Sequence, residues 1–291
     1  MEFQTNAFFI VDVVPEGELQ TGISIDDILS DKISYEKRLQ KYNITCERKK
    51  VLNECELFKF LKSIQCKTKR GDVYPYIHIE GHGSEEGLVM LNGSLVSWVK
   101  IFSSLREINI LCKNNLFLSS GACKSAHAFK AAEISKEVPI YGLLAPEQEI
   151  SAGEVVDGFS AFFKAWLSQG LEKGIKEFSS SVDGKNFSLI FAQTLFERAA
   201  YKYLKDQCSG KGKAIRTEKL LSQLMKNKDI PITEARKLVK KELKRPQAPY
   251  LQNFYNKFMM VSHYPELDNR CNFKAYVFEK AVQSGKISLD V

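Results

Sequence analysis

No two cysteines in this chain stand at CxxC spacing, and the seven present, at positions 46, 55, 66, 112, 123, 208 and 271, are an odd number. Both facts argue against a disulfide framework or a zinc knuckle. Apart from position 123, these thiols read as reduced, partly buried small hydrophobes, and the chain as one made for a reducing, cytoplasmic compartment. Nor is there a run approaching the ~18 consecutive apolar residues of a membrane span. The apolar run at 7–14 contains Asp12 and follows no basic segment, so it reads as a strand and not as a signal peptide. Composition gives no mark of disorder: 44% hydrophobic and 11% aromatic residues supply ample core material.

The net charge of +7 is uneven. Residues 209–245 hold twelve Lys and Arg against four Asp and Glu, a net +8 that leaves the remainder at −1. The basic character belongs to one segment, and the rest of the chain is about neutral.

Apolar β-branched and aromatic runs predict strands at 7–14, 44–52, 74–80, 115–119 and 138–144. Spacing of three and four predicts helices at 54–64, 96–105, 124–134, 155–167 and 187–204, with one or two more within 24–42. Asn92-Gly93 marks a small hairpin, Gly170 a helix stop, and Ser151 with Glu154 a capping box. Strands alternating with helices imply an α/β fold: a mainly parallel sheet covered on both faces, in three α/β/α layers. All strand carboxyl ends then share one edge, where ligands sit in open sheets.

Two strands stop abruptly at small residues with chemistry just beyond. The run 74–83, YPYIHIEGHG, delivers His82 between two glycines, and the run 115–126 delivers Cys123 after Ser-Ser-Gly-Ala. A thiol and an imidazole on neighbouring loops are the parts of a nucleophilic dyad. Cys123 would lose its proton at the start of the following helix, and His82 would protonate the leaving amine. The amides of Gly83 and Cys123 would bind the developing oxyanion. Among the other histidines, His78 falls inside a strand, His127 one helical turn after Cys123 as the rival base, and His263 in the tail. Glu80 either orients His82 or is turned away from it by strand alternation.

YIHIEGHGS and LFLSSGACKSA resemble the histidine-glycine and cysteine motifs of the caspase-like (clan CD) cysteine peptidases, and most closely those of the bacterial CHAT-type branch. The later stretch from Pro139 to Gly170 resembles that branch's final strand, loop and aromatic helix, and the likeness covers residues 8–204. The resemblance implies a caspase-like sandwich, Cys123 as nucleophile, His82 as general acid and base, protein substrates, and no metal or other cofactor. By analogy it implies a role in a bacterial antiviral defence or cell-death pathway. The sequence departs from the caspase signature at Gly121-Ala122-Cys123-Lys124-Ser125, and Ala122 replaces the acidic residue of metacaspase-like members. Neither family's residue preference therefore carries over. Asp12, Glu147 and Glu149 are the candidate pocket acids, because a carboxylate there would select Lys or Arg.

The expected division is a peptidase domain at 1–208 and a helical basic region at 209–291. Thr217 and Thr233 read as helix N-caps, and 209–213 as a hinge. Two basic amphipathic helices fit a nucleic-acid reader, a docking site for a regulatory protein, or a plain hairpin packed on the rest. A catalytically silent caspase fold that only binds is the alternative to the peptidase.

Overall fold

The computed structural model describes residues 4–71, 73–182, 186–227, 230–270 and 273–289. Asp72, expected in a loop, and Cys271 lie outside them. The chain runs β1 (Ala7–Val13), α1 (Thr21–Tyr35), α2 (Lys37–Lys41), β2 (Thr45–Lys50), α3 (Glu54–Lys69) and β3 (Pro75–Gly81). The hairpin β4 (Gly87–Val89) and β5 (Leu95–Ser97) follows, then α4 (Trp98–Leu111), β6 (Phe117–Ser120) and a 3₁₀ segment (Ser125–Ala131). β7 (Gly142–Pro146), α5 (Ala152–Gln169), α6 (Leu171–Ser181) and β8 (Phe187–Phe191) complete the α/β part.

Six strands form one sheet in the order β2-β1-β3-β6-β7-β8. Every pairing is parallel except β7 with β8, which is antiparallel. Alternation along β1 sends Phe8 and Ile10 to one face, where they join Ile25 and Leu29 of α1 and Phe159, Phe162 and Phe163 of α5. Phe9 points the other way and meets the Phe60 ring of α3 edge-on at 6.1 Å. Both faces are thus covered by helices, and the fold is the α/β arrangement with a mainly parallel central sheet that the alternating pattern implies. Tyr76 and Phe117 stack across β3 and β6 at 5.6 Å and 7°. Each such fully buried aromatic is worth about 1.5–3 kcal/mol relative to exposure.

Local signals explain several boundaries. The Asn53 side chain accepts from Glu56 N to start α3, and Ser151 with Glu154 forms the capping box of α5. Gly170, at φ +98°, ends that helix.

Several expectations need correction. Residues 187–204 are not one helix: Phe187, Leu189 and Phe191 alternate against the apolar core as an edge strand, and helix α7 (Ala192–Cys208) follows. β7 starts at Gly142, well after position 138. A side chain at Gly142 would meet the Phe117 ring at 2.6 Å, so the close strand approach there needs glycine. The segment after Cys123 is 3₁₀ and not α-helical, with Lys124 left-handed at φ 58°. Residues 209–213 hold no irregular link: Gly210, at φ +49°, marks the junction between α7 and α8 (Gly210–Asn227), which begins at once.

The contacts divide the chain into two units, 1–133 with 137–192 and 134–136 with 193–291. Beyond α7 and α8, the second unit contains α9 (Ile232–Leu243), α10 (Ala248–Phe258), a 3₁₀ segment (Pro265–Arg270) and α11 (Ala275–Gln283). α8 and α9 meet through Leu221, Ala235 and Val239. Phe196, Tyr255, Phe258 and Phe273 form an aromatic core there, with ring centroids 4.7–5.8 Å apart. Thr217 lies inside α8, where its hydroxyl donates to Lys213 O at 2.7 Å. Thr233 sits within α9, whose N-cap position is Pro231 without a side-chain cap. Neither threonine is a cap.

Candidate functional site

The site begins with strand register. β3 and β6 are parallel neighbours, with His78 opposite Ser119 and Ile79 opposite Ser120. The ladder continues one step, as Gly121 N donates to Ile79 O at 2.9 Å. His82 and Cys123 each lie three residues beyond the Ile79–Ser120 pair, at the carboxyl edge of the sheet. Both line one small cleft of about 80 Å³, together with Glu18, Glu80, Gly121 and Ile150.

Close backbone approach holds these loops together. A Cβ built on Gly83 would lie 2.7 Å from Cys123 O and 3.0 Å from the Ala122 side chain. One built on Gly121 would lie 2.5 Å from the Glu80 carboxylate. Glycine is the residue that permits both approaches. Gly83 also faces Leu88 in an antiparallel bridge, held by Ser84 N to Gly87 O and Val89 N to His82 O, both at 2.9 Å. Neither of those bonds uses the Gly83 amide. Among the described residues the Gly83 and Cys123 amides donate to no protein acceptor, so both are free to donate to a ligand.

His82 Nε2 lies 2.9 Å from the Glu18 carboxylate, both groups being about half exposed. A carboxylate only accepts, so Nε2 is the donor of this pair and Nδ1 is the ring nitrogen it leaves unengaged. Glu18 was not singled out in the sequence. It reaches His82 from 64 residues away, and no local pattern signals such a contact. Cys123 Sγ is 3.8 Å from Ile150 O.

Beneath the cleft runs a buried polar chain. Thr21 donates to Glu80 at 2.6 Å. Glu80 also accepts from His78 Nε2 at 2.5 Å, and His78 Nδ1 meets Ser119 Oγ at 2.5 Å. All four residues are nearly inaccessible to solvent. Glu80 is thus turned to His78 and does not orient His82, while the His78 ring packs edge-on against Phe159 at 4.6 Å.

The three candidate pocket acids lie elsewhere. Asp12 is buried and spent on Arg48 at 2.7 Å, Lys50 at 3.6 Å and the Val14 amide at 3.0 Å. Glu147 accepts from Ser188. Glu149 is exposed and pairs with Lys124 at 3.3 Å. None of the three lines the cleft, whose carboxylates are Glu18 and Glu80. The rival base, His127, stands 3.4 Å from Glu85 and is likewise absent from the cleft wall.

Among the described residues, no group of three or more His, Cys, Asp or Glu is placed to hold a metal ion. Among them, too, no helix is long and apolar enough to cross a membrane. Comparison with protein-family models and with curated proteins finds no match for the chain.

Proposed function

We propose that the chain is a caspase-like cysteine endopeptidase, of the clan CD type that its motifs resemble, acting on protein substrates. The observation that carries this reading is the matched register. His82 and Cys123 sit equally far past paired positions of adjacent strands and line one cleft. In this mechanism Nδ1 of His82, left free by the Glu18 contact, takes the thiol proton. The Cys123 thiolate attacks the scissile carbonyl carbon, and its oxygen gains the negative charge. The free amides of Gly83 and Cys123 stabilise that charge. Collapse breaks the C–N bond, the imidazolium gives its proton to the leaving amine, and a thioester remains on Cys123. Water, deprotonated by His82, then hydrolyses the thioester and restores the thiol.

Activation of the thiol rests on the imidazole and the free amides in this scheme. The α-helix dipole invoked from the sequence does not contribute, because a short 3₁₀ segment with a left-handed Lys124 follows Cys123.

The test is digestion of a cell lysate by the wild type and by Cys123→Ala and His82→Ala. Peptides produced by the wild type but by neither variant, with both variants folded, are expected, and their ends report the preferred residue. Full activity in Cys123→Ala would sink the peptidase reading.

A second reading, a caspase fold that binds without cutting, is favoured by the cleft itself. Its volume of about 80 Å³ is room for roughly two or three waters, and Cys123 Sγ meets a backbone carbonyl in place of the imidazole. An electrophilic thiol probe that fails to label Cys123 with partners present would favour this reading.

A further inference from the structure

The helical unit holds its own cavity, of about 320 Å³, walled by the end of α7, by α8, by the α9–α10 connection and by α11. That falls in the size range of small-ligand sites, roughly 300–1,000 Å³. Five basic side chains line it, Lys213, Arg216, Lys244, Arg245 and Lys280, against a single acid, Glu279. The acid is already committed. Glu279 is buried and accepts from the amides of Gln247 at 3.0 Å and Ala248 at 2.8 Å, which caps α10.

Of the five cations, Arg245 has an acidic partner, Glu242 at 2.8 Å. Among the described residues the other four have none. Arg216 is the most telling. Its guanidinium is half-buried over the Tyr203 ring, at 5.2 Å, and donates only to neutral atoms, Gln247 Oε1 and Cys208 Sγ, each at 3.3 Å. A partly desolvated charge held by neutral partners is costly unless an anion joins it.

We infer that this cavity binds a small molecule carrying two or more phosphate groups. Phosphate oxygens accept the charge-assisted bonds that a guanidinium fork and lysine ammonium groups offer. Five cations less the Glu279 and Glu242 carboxylates leave a net +3. A single phosphate, at about −2 charge, leaves part of that unbalanced, whereas linked phosphates can balance it. The exposed lysines of α9 that a nucleic-acid strand would need, Lys237, Lys240 and Lys241, do not line the cavity. This inference is independent of the peptidase reading.

The test is calorimetric titration of the full chain at about 0.15 M salt, where distant surface charges are screened. The probes are inorganic tripolyphosphate, ATP, inorganic phosphate and a single-stranded oligonucleotide. Saturable one-to-one binding of tripolyphosphate or ATP is expected, with inorganic phosphate on the order of tenfold weaker or more. The double variant Lys213→Glu with Lys244→Glu should weaken it by on the order of tenfold or more, and Lys237→Glu should leave it unchanged. Arg216→Gln should act like the double variant. Because Arg216 packs on Tyr203 its fold must be checked by circular dichroism, but the exposed lysine pair tests the site without that risk. Three results would each overturn the inference: neither polyphosphate binding, Lys237→Glu costing as much as the lysine pair, or the oligonucleotide binding when the polyphosphates do not.

Discussion

The carbonyl oxygen of Cys123 lies 2.7 Å from the place where a side chain on Gly83 would begin. The contact bears on the proposed peptidase mechanism, in which the same two residues supply the amides that would bind the oxyanion. Gly83→Ala must push the two loops apart, and that shift separates the donors. We expect a loss of roughly 10²–10³-fold in kcat, the usual cost of removing one oxyanion donor, with a small fall in Tm. Kinetics on a cleaved peptide beside a thermal melt would check it. Unchanged kcat would mean that Gly83 has no part in the chemistry.

In the proposed peptidase mechanism Glu18 would act only through His82, which it meets at 2.9 Å, and would be a positioning residue. Glu18→Gln keeps its size but weakens the hold on Nε2–H and lets the ring change tautomer. The expected result is a fall in kcat of roughly tenfold, at the low end of general acid–base contributions, with KM and Tm unchanged. Glu18→Asp should restore part of it. A variant whose KM rises while kcat holds would show that Glu18 meets substrate instead.

What was legible in the sequence followed from local rules. The hairpin at Asn92-Gly93, the helix stop at Gly170 and the capping box at Ser151 each depend on neighbours within a few residues, and each appears where its signal lies. β8 was missed although its alternation of Phe187, Leu189 and Phe191 was readable, because the helical pattern continuing from Ala192 absorbed it. Asp12 looked like a pocket acid from its place at the end of the first strand, where a carboxylate would select Lys or Arg. Its partners Arg48 and Lys50 come from β2, brought alongside by parallel pairing. Glu18 reached His82 in the same non-local way. Single-residue roles at a sheet edge depend on which strands become neighbours, and spacing along the chain does not carry that information.

The buried pair of His78 and Glu80 makes a stability prediction. Removing one partner leaves the other buried without its hydrogen bond, at a cost of about 1–3 kcal/mol. Glu80→Ala should lose that much in urea unfolding, because it strands both His78 Nε2 and the Thr21 hydroxyl. Thr21→Val should cost less, about 1 kcal/mol, the worth of one ordinary hydrogen bond. Equal stability of Glu80→Ala and wild type would show that this polar chain contributes nothing to the fold.

Cys46 gives a prediction whose sign follows from its surroundings. Burial first, and then the Asp26 carboxylate beside its sulfur at 3.4 Å, push this thiol far above the ordinary range. The folded chain therefore keeps the proton at a pH where the unfolded chain releases it. Below the ordinary thiol value, about 8.5, the two states bind the proton equally and Cys46 has no effect on pH dependence. Above it the unfolded state gains, and stability should fall by at most about 1.4 kcal/mol per pH unit from this group. Cys46→Ala should remove that part of the alkaline decline, seen as a shallower loss of urea stability between about pH 8.5 and 10.5. The same burial protects the sulfur from alkylation. Iodoacetamide at neutral pH should modify the exposed Cys55 and Cys66 of the native chain and reach Cys46 only after denaturation, as read by mass spectrometry. Labelling of native Cys46 as fast as Cys55 would contradict both halves of the argument.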